Sequence, residues 1–196
     1  MSADARDPDY FDALYAADAD PWRFETSAYE QAKYAETIAA LPARRYRSAV
    51  ELGCSIGVLT EQLAARCDAV LGLDVAQAPL RRAAKRCAAL PHVRFEQRRL
   101  PAELPDGRFD LVMVSEVLYY FDPPTLAQLA DGIRQIAQPG ADLVLVHWLG
   151  PTPDYPQSGD AAVAGFLAAT AAWTEVTRQA RRGDYRLDVL RVVPAP

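Results

Sequence analysis

Glu51-Leu52-Gly53-Cys54-Ser55-Ile56-Gly57 closes one apolar run of the chain. Leu71-Gly72-Leu73-Asp74 closes a second and sets a carboxylate 21 positions after Gly53. A glycine at the end of a strand lets a ligand lie against the main chain, and the following helix points free N–H groups at an anion. The acid after the second strand is placed to accept a pair of ribose hydroxyls. The spacing E-x-G-x-x-x-G, rather than G-x-G-x-x-G, points to S-adenosylmethionine (SAM) over a dinucleotide, and so to methyl transfer. Asp74 has a second use open to it, as N-cap of the next helix. Glu51 sits inside an apolar run, where a carboxylate is costly unless paired. Its expected task is to hold the glycine turn, or a cofactor ammonium through water.

Three other groups of residues carry chemistry. Ser115-Glu116-Val117-Leu118-Tyr119-Tyr120 follows a strand, at the edge where open α/β sheets bind ligands. There Glu116 is a candidate for meeting the cofactor or an incoming amine, and Tyr119 for orienting it. The alternative is packing of Leu118 and one tyrosine beneath the next helix. His147-Trp148 ends another strand, and His147 is the better placed of only two histidines for proton handling. A structural histidine is the competing reading. Asp20-Pro21-Trp22-Arg23-Phe24 sets aromatic rings beside an arginine, as a lid or stacking wall suited to a sulfonium cation, or as a staple for the first helix.

The elements that must position these groups alternate. A helix is predicted over 28–41, capped by Ser27 and stopped by Pro42. Strands are predicted at 48–52, 69–73, 93–97, 109–114 and 143–146, with helices at 57–67, 76–89 and 124–137 between them. Such alternation builds a parallel sheet with helices on both faces. After the prolines at 151, 153 and 156, a helix over 159–171 precedes strands 173–181 and 185–193, a terminal hairpin turning at Gly183-Asp184. The fold read here is α/β with a seven-stranded, mostly parallel sheet ending in an antiparallel hairpin. It is read as one domain over 1–196: a lid and first helix (1–45), a cofactor core (46–150), and an acceptor loop with the hairpin (151–196).

The 196 residues are 51% apolar, enough for one sizeable core. No apolar stretch approaches the ~20 residues of a membrane span, and the first residues have no signal-peptide pattern. A cytoplasmic protein with free thiols at Cys54, Cys67 and Cys87 is expected. The net charge of −5 argues against nucleic-acid or anionic-membrane partners. Arg81-Arg82-Ala83-Ala84-Lys85-Arg86 reads as a solvated helix face. No metal-ligand cluster is evident.

Ala19-Asp20-Pro21-Trp22-Arg23-Phe24-Glu25-Thr26-Ser27, Glu51-Leu52-Gly53-Cys54 and Ser115-Glu116-Val117-Leu118-Tyr119-Tyr120-Phe121 together resemble the nodulation protein S family of rhizobial N-methyltransferases and its wider bacterial relatives. The resemblance spans about residues 10 to 190. It implies a Rossmann-like class I methyltransferase fold and methylation of the free amine of a deacetylated, glucosamine-type sugar. By position it assigns Gly53, Cys54, Ser55 and Asp74 to the cofactor, with Tyr29 or Lys33 closing over it. Trp22, Glu51, Val75, Leu100 and Ser115 complete the cofactor set, and Glu116, Tyr119 and His147 form the catalytic set. Two positions depart from the pattern. Ser55 replaces a second glycine, which requires a negative φ there. Arg99 stands where the wider fold places an adenine-contacting aspartate, leaving the Leu100 amide to reach the ring.

The amine must arrive neutral, and Glu116 or His147 is expected to take its proton. An O-methyltransferase for a small metabolite, a non-catalytic SAM-binding module and, more distantly, a dinucleotide-binding protein are the rival readings.

Overall fold

The structure, a computed structural model, describes residues 8–42 and 44–193. Its first element is a helix, α1 (Pro8–Ala17), that the sequence reading did not foresee; it buries Phe11 and Tyr15, one helical turn apart. Next is α2 (Ala28–Ala40), whose N-cap Ser27 accepts the Glu30 amide at 3.3 Å. Then come β1 (Ala49–Leu52), α3 (Val58–Ala64), β2 (Val70–Asp74), α4 (Gln77–Arg86), β3 (Val93–Gln97) and β4 (Phe109–Ser115). A 3₁₀ turn at Leu118–Tyr120 leads into α5 (Pro123–Ile136), β5 (Ala137–Trp148), α6 (Gly159–Thr170), β6 (Thr174–Arg181) and β7 (Tyr185–Val192).

Among the described residues these strands make one seven-stranded sheet in the order β3-β2-β1-β4-β5-β7-β6. The first five run parallel; β7 joins β5 antiparallel and β6 joins β7 antiparallel. β1 and β4 are buried along their whole length, as strands covered by helices on both faces must be. Two apolar layers result. One lies under α5 and α6 and includes Leu129, Ile133 and Phe166; the other lies under α1 to α3 and includes Tyr46, Leu63 and Met113. The order of strand addition reverses between β1 and β4, and a crevice opens there at the carboxyl ends of the strands.

Three details differ from the sequence reading. α3 starts at Val58 behind an N-cap Gly57 with φ 77°, so residues 55–57 belong to the turn. α4 ends at Arg86, short of residue 89. β5 starts at Ala137 rather than Leu143, because Pro139 and Gly140 (φ 74°) form a bulge within the strand rather than a turn before it. The three cysteines are free and buried.

Candidate active site

A cavity of about 450 Å³ opens over the carboxyl ends of β1, β2 and β4, a volume suited to a cofactor-sized ligand. At its β1–β2 side lies the glycine turn. Gly53 takes φ 78°, and a side chain there would press on Val117 and the Ser115 carbonyl at 3.4 Å. Ser55 takes φ 49°, in the left-handed region, not the negative φ expected of a residue replacing glycine. Three contacts hold it there. Its amide donates to Asp74 Oδ2 at 2.9 Å, its hydroxyl bonds the Tyr15 hydroxyl, and Gly57 N–H closes the turn on the Cys54 carbonyl at 2.9 Å. The other oxygen of Asp74 accepts the Ala76 amide at 3.0 Å. Ala76, not Asp74, occupies the N-cap position of α4. Each Asp74 oxygen keeps a lone-pair direction for a further donor.

At the β4–β5 side the cavity ends in a charged knot. Glu116 also takes a left-handed backbone, φ 55°. Its Oε1 accepts from Lys33 Nζ at 2.6 Å; its Oε2 accepts from the Tyr119 hydroxyl at 3.1 Å and the Trp148 amide at 2.8 Å. Lys33 in turn donates to Glu30 at 3.1 Å and lies over the Tyr29 ring, 5.2 Å from its centroid. Only 2% of the Lys33 side chain is exposed, and its two carboxylate neighbours outweigh burial and raise its pKa, so it stays charged. Aromatic rings wall this end. Tyr119 and Tyr155 stack at 5.4 Å, Tyr120 meets Tyr155 edge-on at 4.6 Å, and Phe11 of α1 meets Tyr120 edge-on at 5.1 Å. Trp22 and Phe24 stack at 5.6 Å on the cavity's flank, and Tyr15 packs edge-on against Trp22.

Of the residues singled out from sequence, Trp22, Tyr29, Lys33, Gly53, Ser55, Asp74, Val75, Leu100, Glu116 and Tyr119 line this cavity; Glu51, Cys54, Ser115 and His147 do not. Glu51 is buried behind the turn, accepts the Thr60 hydroxyl of α3, and is pushed up to about 8 by burial, which leaves it neutral at pH 7. The Cys54 thiol, raised by burial, faces inward beside Gly72. Ser115 ends β4 with its side chain in the interior.

His147 is the clearest correction. It is wholly buried, and its Nε2 accepts the amides of Val117 and Leu118 at 3.3 and 3.1 Å. Burial lowers it to about 4. An imidazole whose accepting nitrogen serves two backbone amides, and which does not line the cavity, positions the 116–118 turn.

A family profile described as Nodulation protein S (NodS) matches residues 10–144, more than half of the chain. The chain belongs to the nodulation protein S family. Nodulation protein S of Bradyrhizobium diazoefficiens is 36% identical over 104 residues, which covers 52% of this chain and 49% of that protein. A trans-aconitate 2-methyltransferase of Deinococcus radiodurans is 36% identical over 137 residues, 68% of this chain and 47% of that enzyme. The chain thus spans about half the length of the curated relatives it matches. The solved N-methyltransferase NodS of Bradyrhizobium japonicum, in complex with S-adenosyl-L-homocysteine, superposes with a TM-score of 0.81 at 20% identity, over 94% of this chain and 98% of that one. The fold is that of the class I, SAM-dependent methyltransferases.

Within this NodS-family frame the structure adds wall residues that sequence reasoning passed over. Phe11 and Tyr15 come from the unforeseen α1; their i, i+4 spacing was the available signal. Glu30 comes from the first turn of α2, where Ser27-Ala28-Tyr29-Glu30 reads as a capping box. Arg98 and Tyr155 also line the cavity, beside the Arg99 already singled out from sequence. No cluster of metal-binding side chains, and no helix long and apolar enough to cross a membrane, occurs among the described residues.

Proposed function

We propose that this chain transfers a methyl group from SAM to the free amine of a small or oligosaccharide acceptor of the amino-sugar type. The observation that carries the amine is the charged knot. Two carboxylates, Glu30 and Glu116, meet one ammonium under a tyrosine ring, so the β4–β5 end of the cavity has a formal surplus of negative charge. Such an end attracts a cationic acceptor and repels a carboxylate. Arg98 and Arg99 follow β3, which the sheet order puts on the far side, toward the nucleoside.

The residues present fit the cofactor. Asp74 has lone pairs left for a ribose diol, Gly53 leaves the main chain open, and Val75 and Leu100 offer apolar edges to the adenine. When bound, SAM supplies a methyl group on a positively charged sulfur. The protein's share is alignment: Asp74 and the 53–57 turn fix one partner, and Tyr119, Tyr155 and Trp148 confine the other. Trp22 and Phe24 offer ring faces to a sulfonium. The nitrogen lone pair forms the new C–N bond while the C–S electrons pass to sulfur. Holding both reactants in line is worth on the order of 7–11 kcal/mol at best. Glu116, which accepts from Lys33, Tyr119 and Trp148, orients Tyr119 and sets the cavity floor.

A small oxygen acceptor is the second reading, favoured by the likeness to the trans-aconitate enzyme. Release of S-adenosylhomocysteine, measured with glucosamine-type amines, trans-aconitate and a catechol in parallel, separates the two. Turnover with the amines supports the present reading, and turnover only with the carboxylate or catechol replaces it.

A further inference from the structure

Three carboxylates line the cavity, and two of them hold local structure. Asp74 holds the glycine turn through both oxygens, and Glu116 accepts three hydrogen bonds, one from an ammonium. Glu30 differs. A Ser-x-x-Glu helix start normally folds the glutamate back onto the N-cap amide. Here Ser27 N–H donates instead to the Arg23 carbonyl at 2.9 Å, and the Glu30 side chain turns away from the helix end into the cavity wall. Its Oε1 accepts from Lys33 at 3.1 Å. Its Oε2 is buried, 3.0 Å from the same Nζ and beside the Tyr34 hydroxyl, yet has no partner in full hydrogen-bonding geometry among the described residues. The Tyr29 hydroxyl, one residue earlier on the same wall, is likewise buried without a bonding partner. A carboxylate oxygen and a hydroxyl, both buried and without a hydrogen-bond partner, thus share the first turn of α2 in the cavity wall.

We propose that Glu30 is the proton acceptor for the amine, with the Tyr29 hydroxyl bonding the same acceptor. This rests on the amine reading above. An ammonium arriving in the cavity passes one proton to Glu30 Oε2 and becomes a neutral amine with a free lone pair. The lone pair takes the methyl group as the C–S bond breaks to sulfur. The resulting alkylammonium leaves with the cationic charge that began on sulfur, and Glu30 returns its proton to solvent. Facing Glu30 are Lys33 and Tyr34 of its own helix, Tyr29, and Glu116 after β4. Burial foremost, then the Glu116 charge, raises its pKa against the opposing pull of Lys33. That brings the carboxyl closer to an amine and eases the transfer.

The test is Glu30→Gln, which keeps an oxygen for Lys33. SAM affinity, melting temperature and the pH profile of kcat/KM with glucosamine are measured together. The expected result is unchanged SAM affinity, with a rate loss on the order of 100-fold below the amine's own pKa. That loss should shrink to within a few-fold above it, where solvent already supplies neutral amine. Glu30→Asp, which keeps the charge but withdraws the oxygens, should give the same pH-dependent pattern and serves if the glutamine variant does not fold. An equal loss at every pH, or none at any pH, overturns the role of Glu30 and leaves the amine reading standing. A wild-type enzyme that methylates no amine overturns both.

Discussion

Lys33 and Glu116 lie 83 positions apart in the chain and meet at 2.6 Å beneath the cavity. This contact ties α2 to the exit of β4 and holds Glu116 in its left-handed backbone. Glu36, one turn further along α2, accepts from Arg182 and from the Tyr185 hydroxyl of the terminal hairpin. The helix that closes the cavity is thereby fixed at one end to the sheet centre and at the other to its antiparallel edge.

Lys33→Met leaves Glu116 and Glu30 buried without their cation. Removing one partner of a buried ion pair costs about 3–5 kcal/mol. The melting temperature should fall sharply, and the Glu116→Gln/Lys33→Met pair should recover part of it. Thermal melts of the single and double variants measure this; a silent single variant contradicts the tie.

Glu51 gives stability a pH dependence of known sign. An acid held up at about 8 in the folded state binds a proton that the unfolded chain, with a value near 4.5, has released. Its contribution is therefore full below 4.5 and lost as pH rises through 8, at roughly 1.4 kcal/mol per unit at most. His147, depressed to about 4, contributes with the opposite slope, and only below 6.5. Between pH 6.5 and 8 wild type should lose stability while Glu51→Gln stays flatter and ends the more stable of the two. Parallel melting curves across that window would refute the assignment.

Replacing His147 should weaken the fold without altering proton handling. His147→Phe strands the Val117 and Leu118 amides, at about 1–3 kcal/mol each. Turnover should decline with the loosened 116–118 turn, but the pH profile should keep its shape. A variant missing one limb of the profile would restore the imidazole to the chemistry.

Ser55 separates backbone strain from hydrogen bonding. Ser55→Ala keeps the left-handed strain and loses the Tyr15 contact, for about 1 kcal/mol. Ser55→Gly loses the same contact but relieves about 1 kcal/mol of strain, so it should be nearly neutral. Chemical denaturation of both checks the order; a glycine variant less stable than alanine reverses it.

Much of this was legible in the sequence, because apolar runs alternating with helical stretches fix a parallel sheet, and Gly53 with Asp74 marks the strand ends over which the cavity opens. What was not legible depended on distance along the chain. Glu116 looked like a free base because its partners, Lys33 and the Trp148 amide, lie 83 and 32 positions away. His147 read as a candidate for proton handling because nothing local shows two amides, 29 and 30 positions earlier, converging on its ring. Glu30 was passed over because a Ser-x-x-Glu helix start does not show that the N-cap amide is taken by the Arg23 carbonyl, 4 positions earlier. α1 was missed because its ten residues offer Phe11 and Tyr15 as their only buried side chains.

The most direct measurement is mass spectrometry of an N-deacetylated chito-oligosaccharide incubated with the protein and SAM, beside its fully acetylated counterpart. A gain of methyl on the free-amine oligomer alone, with fragmentation placing it on nitrogen, is the expected result. A gain on both oligomers, or on oxygen, would contradict the amine as acceptor.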